Sequence, residues 1–305
     1  MKILFIGSNK MNDFMQDCLF YSLKEIFLND VIDYPPLWFM YKDSKDLQEN
    51  NPNFFWGKGF TLYKEFNGFF QVERNNILEK INDGYFNLII YASIRRNNLF
   101  LNEVLNIKKK IKLIFIDGED DQLIHPFFLF NKEFFFFKRE LLKKIENSNI
   151  FPINFCVPNQ KILNSKIDKR EFLLAPLIPG DIKTYTYNSE QDYYNMYQKS
   201  FFALTFKKAG WDCLRHYEIM MNGCIPLFPD LEFCPSETCT FLPKEKLIEI
   251  YKNYKNILDK NINLNSFLKI NNEAINQISK DILAYTKEKC STKYLANYFL
   301  DIVLN

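Results

Sequence analysis

The chain has 305 residues, 47% of them hydrophobic and 25% charged, which is enough apolar material for two ordinary cores. Its 39 basic and 37 acidic side chains leave a formal net charge of +2. No global field therefore favours a polyanion, and duplex nucleic acid is not an expected partner.

Residues 1–7 (Met-Lys-Ile-Leu-Phe-Ile-Gly) are too short an apolar run for an export signal. The most apolar stretch, 127–137, is broken by Asn131, Lys132 and Glu133, well short of the ~18 to 20 residues of a membrane span. These features lead us to expect a soluble cytoplasmic protein, with peripheral attachment at the inner face of the membrane as a variant. Cys18, Cys156, Cys213, Cys224, Cys234, Cys239 and Cys290 form no CxxC pair, and only two histidines accompany them. That pattern argues against structural zinc and for reduced, partly buried thiols. Neither a metal nor a resident cofactor is expected.

Residues 2–6 form a continuous apolar run closed by Gly7, Ser8 and Asn9, followed by a helical pattern carrying Phe14, Cys18, Leu19, Leu23 and Phe27. Residues 87–92 and 112–116 read as further buried strands, 133–137 as a possible fourth, and a helical stretch lies near 99–107. Alternation of this kind predicts a parallel sheet with ligands at the carboxyl ends of its strands. Residues 7–9, 93–96 and 117–121 would then be the loops to read, with Gly7 and Ser8 as donor contacts. Arg95 and Arg96 divide evenly between phosphate contact and surface charge, and Lys108, Lys109 and Lys110 read as a solvated helix end.

Between 34 and 70 the pattern dissolves into prolines, glycines and aromatics, including Trp38, Phe54, Phe55, Trp56 and Tyr63. Such an insertion either binds something or folds its rings onto the domain. On the first reading Trp38, Phe55 and Trp56 would meet the apolar face of an acceptor sugar.

A polar stretch at 157–169 suggests a linker, after which strand and helix alternate again: a strand within 172–178, a helix over 190–199 and a strand over 201–206. The expected domains are 1–160, on the acceptor side, and 161–285, on the nucleotide side. A C-terminal helix over 286–305 could pack back on the first.

The stretch 200–228 carries the most chemistry. It predicts a strand, a basic loop with Lys207, Lys208 and Gly210, a helix capped by Asp212, a stop at Gly223 and a new strand. Arg215 falls in the first turn of that helix and Glu218 three residues on, on the same face. A helix start, an arginine and two lysines suit a diphosphate, and a carboxylate suits the vicinal hydroxyls of a ribose. The plain alternative is a surface Arg-Glu pair. His216, between them, reads as a packed helix residue.

The series Arg215-x-x-Glu218-x-x-x-x-Gly223-Cys-Ile-Pro226 resembles the donor-site helix of GT-B glycosyltransferases, including exostosin-like enzymes and phage DNA glucosyltransferases. The resemblance covers about 201–235. It implies an α/β fold of two Rossmann-like domains facing each other across a cleft, with a nucleotide-sugar donor and a glycan or lipid-linked glycan acceptor. It further implies that Arg215 contacts the donor phosphates and Glu218 the ribose. One departure is that the residue eight before Glu218 is Gly210, where the common retaining pattern has a glutamate.

An inverting enzyme needs a general base, and Asp117, Glu119, Asp120, Asp121 and His125, just after a strand, are the candidates. The same acids suggest a rival, a metal-dependent GT-A transferase. A non-catalytic nucleotide- or glycan-binding protein of the same fold is the third possibility.

Overall fold

A computed structural model describes residues 1–44, 55–106, 111–164, 170–258 and 264–305; the side chains of residues 56, 57 and 264–271 are outside the description. Phe54, the Trp56 side chain and Lys108, Lys109 and Lys110 therefore lie outside the described residues. The chain forms two compact units, Met1–Ile153 with Leu295–Asn305, and Asn154–Tyr294.

In the first unit, β1 (Ile3–Ile6), β2 (Val31–Tyr34), β3 (Leu88–Tyr91), β4 (Lys112–Asp117), β5 (Phe135–Lys138) and β6 (Ile150–Pro152) form one parallel sheet. Its order is β2-β1-β3-β4-β5-β6. Phe5 stands opposite Asp33 on one side and Ile90 on the other, which makes the β1/β3 boundary the point where strand order reverses. β1 and β3 are fully buried, as continuous apolar runs in a parallel sheet should be. Sequence reading leaves β2 and β6 unmarked because their apolar runs are broken. Asp33 sits buried within β2 and accepts from Leu37 N–H, Tyr41 Oη and Arg74, while β6 has only three residues and ends in Pro152.

Helices α1 (Phe14–Phe27), α2 (Ile77–Asp83), α3 (Leu101–Leu105) and α4 (Pro126–Phe130) connect these strands. Asp13 caps α1, accepting from Met15 N–H and Gln16 N–H.

The aromatic insertion packs largely against α1. Tyr21 meets Phe66 at 4.8 Å between ring centroids, and Phe39, Phe55 and Tyr63 form a cluster in which Phe55 and Tyr63 lie 4.6 Å apart. Phe39, Tyr41 and Tyr63 are buried, while Trp38 and Phe55 keep partial exposure.

In the second unit, β7 (Phe172–Leu174), β8 (Ser200–Leu204) and β9 (Ile225–Leu227) form a parallel sheet with β8 at its centre. The strand expected across 172–178 stops at Leu174, two residues before Pro176, which has no N–H to give a ladder. Helices α5 (Glu190–Gln198), α6 (Leu214–Met221), α7 (Lys244–Tyr254) and α8 (Leu264–Lys289) complete the unit. α8 turns Ile275, Ser279, Ile282 and Thr286 inward, the spacing of one helix face.

The last helix, α9 (Thr292–Leu304), belongs to the first unit from Leu295 onward. There Phe299 packs on Phe137 at 5.1 Å, and Lys112 Nζ donates to Val303 O at 2.6 Å, neutralising the helix's carboxyl end. The division between units falls before the polar stretch at 157–169, since Asn154 and Phe155 are already bonded within the second unit.

One buried charge of the first unit is testable. Lys24, in the last turn of α1, lies over the Tyr41 ring at 5.4 Å. Burial brings its ammonium down to about 8, Asp33 pulling it up and Arg74 pushing it down further. The folded value lies below the unfolded one, so the charge costs stability in full below about pH 8, and the cost vanishes toward 10.5. Lys24→Met should stabilise the protein by on the order of 2 kcal/mol at neutral pH. Urea titrations should show that gain fading as the pH rises past about 8.

Candidate functional site

The carboxyl end of β8 leads through residues 205–213 into α6, and the side chains of this turn hold one another in place. His216 is buried with both ring nitrogens engaged, Nε2 with Trp211 O at 2.9 Å and Nδ1 with Thr205 Oγ1 at 2.8 Å. A carbonyl only accepts, so Nε2 carries the proton and Nδ1 accepts from the threonine hydroxyl. This ring braces the loop, as expected of a hydrogen-bonded helix residue. At the exit of β9, the Asp230 carboxylate accepts from Lys207 N–H at 3.2 Å. Lys207 Nζ lies over the Trp211 ring at 5.2 Å, Lys208 N–H donates to Gly210 O, and both lysines are exposed.

Asp212 is not the helix cap. That position belongs to Cys213, which makes no side-chain capping bond. Asp212 is instead buried, accepting from Phe155 N–H at 2.8 Å, Tyr217 Oη at 2.7 Å and the Cys239 thiol at 3.8 Å. Its carboxylate points into the unit because those donors lie there, and the first turn of α6 is left without a side-chain cap. At the other end Gly223 takes the left-handed φ of +68° and donates to Met220 O, as the sequence pattern anticipates.

Arg215 lies in the first turn of α6. Its Nη2 donates to Tyr185 Oη at 2.9 Å, and its buried Nε has no hydrogen-bond partner among the described residues. Glu218 is buried one turn on and accepts from Tyr193 Oη at 2.7 Å, Tyr193 in turn lying 3.3 Å from Tyr197 Oη. Burial and then the Glu218 carboxylate push the Tyr193 hydroxyl well up, so it remains a donor. Both tyrosines come from the segment preceding β8, and nothing in the local sequence of α6 announces them.

In the first unit the loops at the carboxyl ends of the strands are closed on themselves. Ser8 N–H donates to Gln16 Oε1 at 2.6 Å, and Gln16 Nε2 returns a bond to Ser8 O. A Cβ on Gly7 would stand 2.6 Å from that same Oε1, so glycine is required for the glutamine to dock.

The acidic turn after β4 is ion-paired throughout. Asp117, buried, receives Arg95 Nη2 at 2.7 Å and Lys138 Nζ at 3.1 Å. Asp121 receives Arg95 Nη2 at 2.9 Å, Glu119 receives Arg96 Nε at 2.8 Å, and Asp120 pairs with Arg139. Arg95 holds the Asp121 carboxyl below its ordinary range. Arg95 and Arg96 thus serve these acids. His125 differs from the four acids: its exposed ring caps α4 by accepting Phe127 N–H at Nδ1.

Two carboxylates that the sequence reading passed over, Asp13 and Asp17, lie buried at the start of α1. Asp13 accepts from Ser93 Oγ at 2.8 Å and Asp17 from Tyr63 Oη at 2.8 Å. Burial raises both, and the neighbouring Asp13 raises Asp17 further. The only sequence signal was the i, i+4 spacing at a helix start. Among the described residues, no group of three or more His, Cys, Asp or Glu side chains is placed to hold a metal ion.

Asp212→Ala should remove an acceptor from at least two buried donors at about 1–3 kcal/mol each, lowering unfolding free energy by about 2–5 kcal/mol in urea titrations. Asp212→Asn, which keeps one acceptor oxygen, should lose less. No protein-family model matches this chain, and no curated protein matches it in sequence.

Proposed function

We propose that this chain is a glycosyltransferase of the GT-B kind, taking a nucleotide-sugar donor at the start of α6 and passing the sugar to a glycan, lipid-linked glycan or other hydroxyl acceptor. The observation that carries the reading is the state of Arg215. A guanidinium with a buried, unpartnered Nε at the first turn of a helix, next to the carboxyl end of the central strand, calls for an anionic acceptor. Glu218 is held one turn away by Tyr193, which fixes the carboxylate for ribose hydroxyls. Lys207 and Lys208 add positive charge from the same loop, and Trp38 and Phe55 keep enough exposure to meet a sugar face.

Among the candidate bases, His125 fits the role best. The carboxylates of the acidic turn are engaged by arginine and lysine, whereas this imidazole is exposed. The same ion pairs count against the metal-dependent GT-A reading, since a cation would have to displace Arg95, Arg96 and Arg139.

Arg215→Ala should lower both affinity for the matching nucleoside diphosphate and the rate at which the donor is hydrolysed, because charge grows on the leaving diphosphate. Glu218→Gln should cost mainly affinity, about 1.5–3 kcal/mol. Calorimetry against UDP, GDP, CDP and ADP measures both; unchanged affinity in two folded variants would sink the assignment. Donor hydrolysis is further expected to persist in EDTA, and abolition with rescue by manganese would return the acidic turn to the metal reading.

A further inference from the structure

We propose that Tyr185 sets the affinity of the Arg215 site by standing in for one oxygen of the anion. The inference rests on the donor-site reading above and concerns the residue that governs access to it. On a guanidinium, Nε–H and one N–H of Nη2 lie side by side and point the same way, forming the edge that takes two oxygens of a phosphate or carboxylate together. In this protein Nη2 has an acceptor, Tyr185 Oη at 2.9 Å, and, among the described residues, the buried Nε has none. A neutral phenol oxygen can fill only one of the two positions.

The hydroxyl is held there by its own segment. Gly180 N–H also donates to Tyr185 Oη, at 3.3 Å, and the intervening turn is tied by Asp181, which accepts from Lys183 N–H, and by Thr184, which bonds to Ile178. Residues 180–183 are exposed on this turn, with Ile182 85% exposed. On this proposal the hydroxyl takes the N–H of Nη2 that faces Nε, so an anion that engages Nε and Nη2 together displaces it. The site is consequently selective for groups with two oxygens able to grip the edge at once, and each binding event gives up the Tyr185 bond.

The test uses the full-length protein with inorganic pyrophosphate as the probe, titrated by calorimetry into the parent, Tyr185→Phe, and Tyr185→Phe combined with Arg215→Ala. Tyr185→Phe keeps the ring and deletes the competing oxygen, so pyrophosphate should bind about ten-fold more tightly than to the parent. Adding Arg215→Ala should abolish that gain. Equal or weaker binding to Tyr185→Phe would overturn the inference, identifying the hydroxyl as a prop that orients Arg215 and not a rival of the anion. Tyr185→Leu, which also deletes the hydroxyl, repeats the comparison should the first variant misfold. Binding that persists without Arg215 would overturn the donor-site reading itself, and no binding to any of the proteins would overturn both.

Discussion

The second unit depends on a buried carboxylate. Asp212 draws the N–H of Phe155, the hydroxyl of Tyr217 and the thiol of Cys239 toward one point, so the start of the unit, the body of α6 and the segment after β9 share an anchor. Asn154 extends the anchor by accepting from Thr240 Oγ1 at 2.6 Å and from Phe241 N–H. A buried charge is tolerable only where several donors converge on it, and those donors are ordered in turn by serving it. Asp212 lies one residue before the Cys213 cap of α6, so the anchor stands three residues from Arg215.

The two units treat charge at their strand ends in opposite ways. In the first, four carboxylates after β4 face Arg95, Arg96, Lys138 and Arg139, and the loop after β1 is filled by Gln16. Such a surface is internally compensated, and a ligand would have to break existing bonds to use it. In the second, Arg215 is left with a buried donor unmet and a neutral tyrosine beside it. An unmet buried donor is costly.

Much of the framework is legible from local chemistry. The buried runs of β1, β3 and β4 are continuous and apolar, Gly223 can adopt the positive φ that ends α6, and Arg215 and Glu218 fall on one helix face by spacing alone. What failed were inferences that assumed a side chain would serve its nearest backbone. Asp212 had the right position and type for a cap, but more distant donors won it. The acids of the turn after β4 likewise meet cations remote in sequence, from the loop after β3 and from the end of β5, more than ten residues away on either side.

Sequence by itself therefore determined the α/β class, the parallel rhythm of the strands and the helix that carries Arg215 and Glu218, because periodicity and terminal residues act over a few positions of chain. Tertiary structure alone decided the partners: Tyr185 for Arg215, Tyr193 for Glu218, Arg95 and Lys138 for Asp117, and Gln16 for the loop at Gly7 and Ser8. Hydrogen bonds and ion pairs act over about 3 Å of space irrespective of chain separation. Which donor meets which acceptor is thus settled only when the strands are in register and their loops are brought side by side.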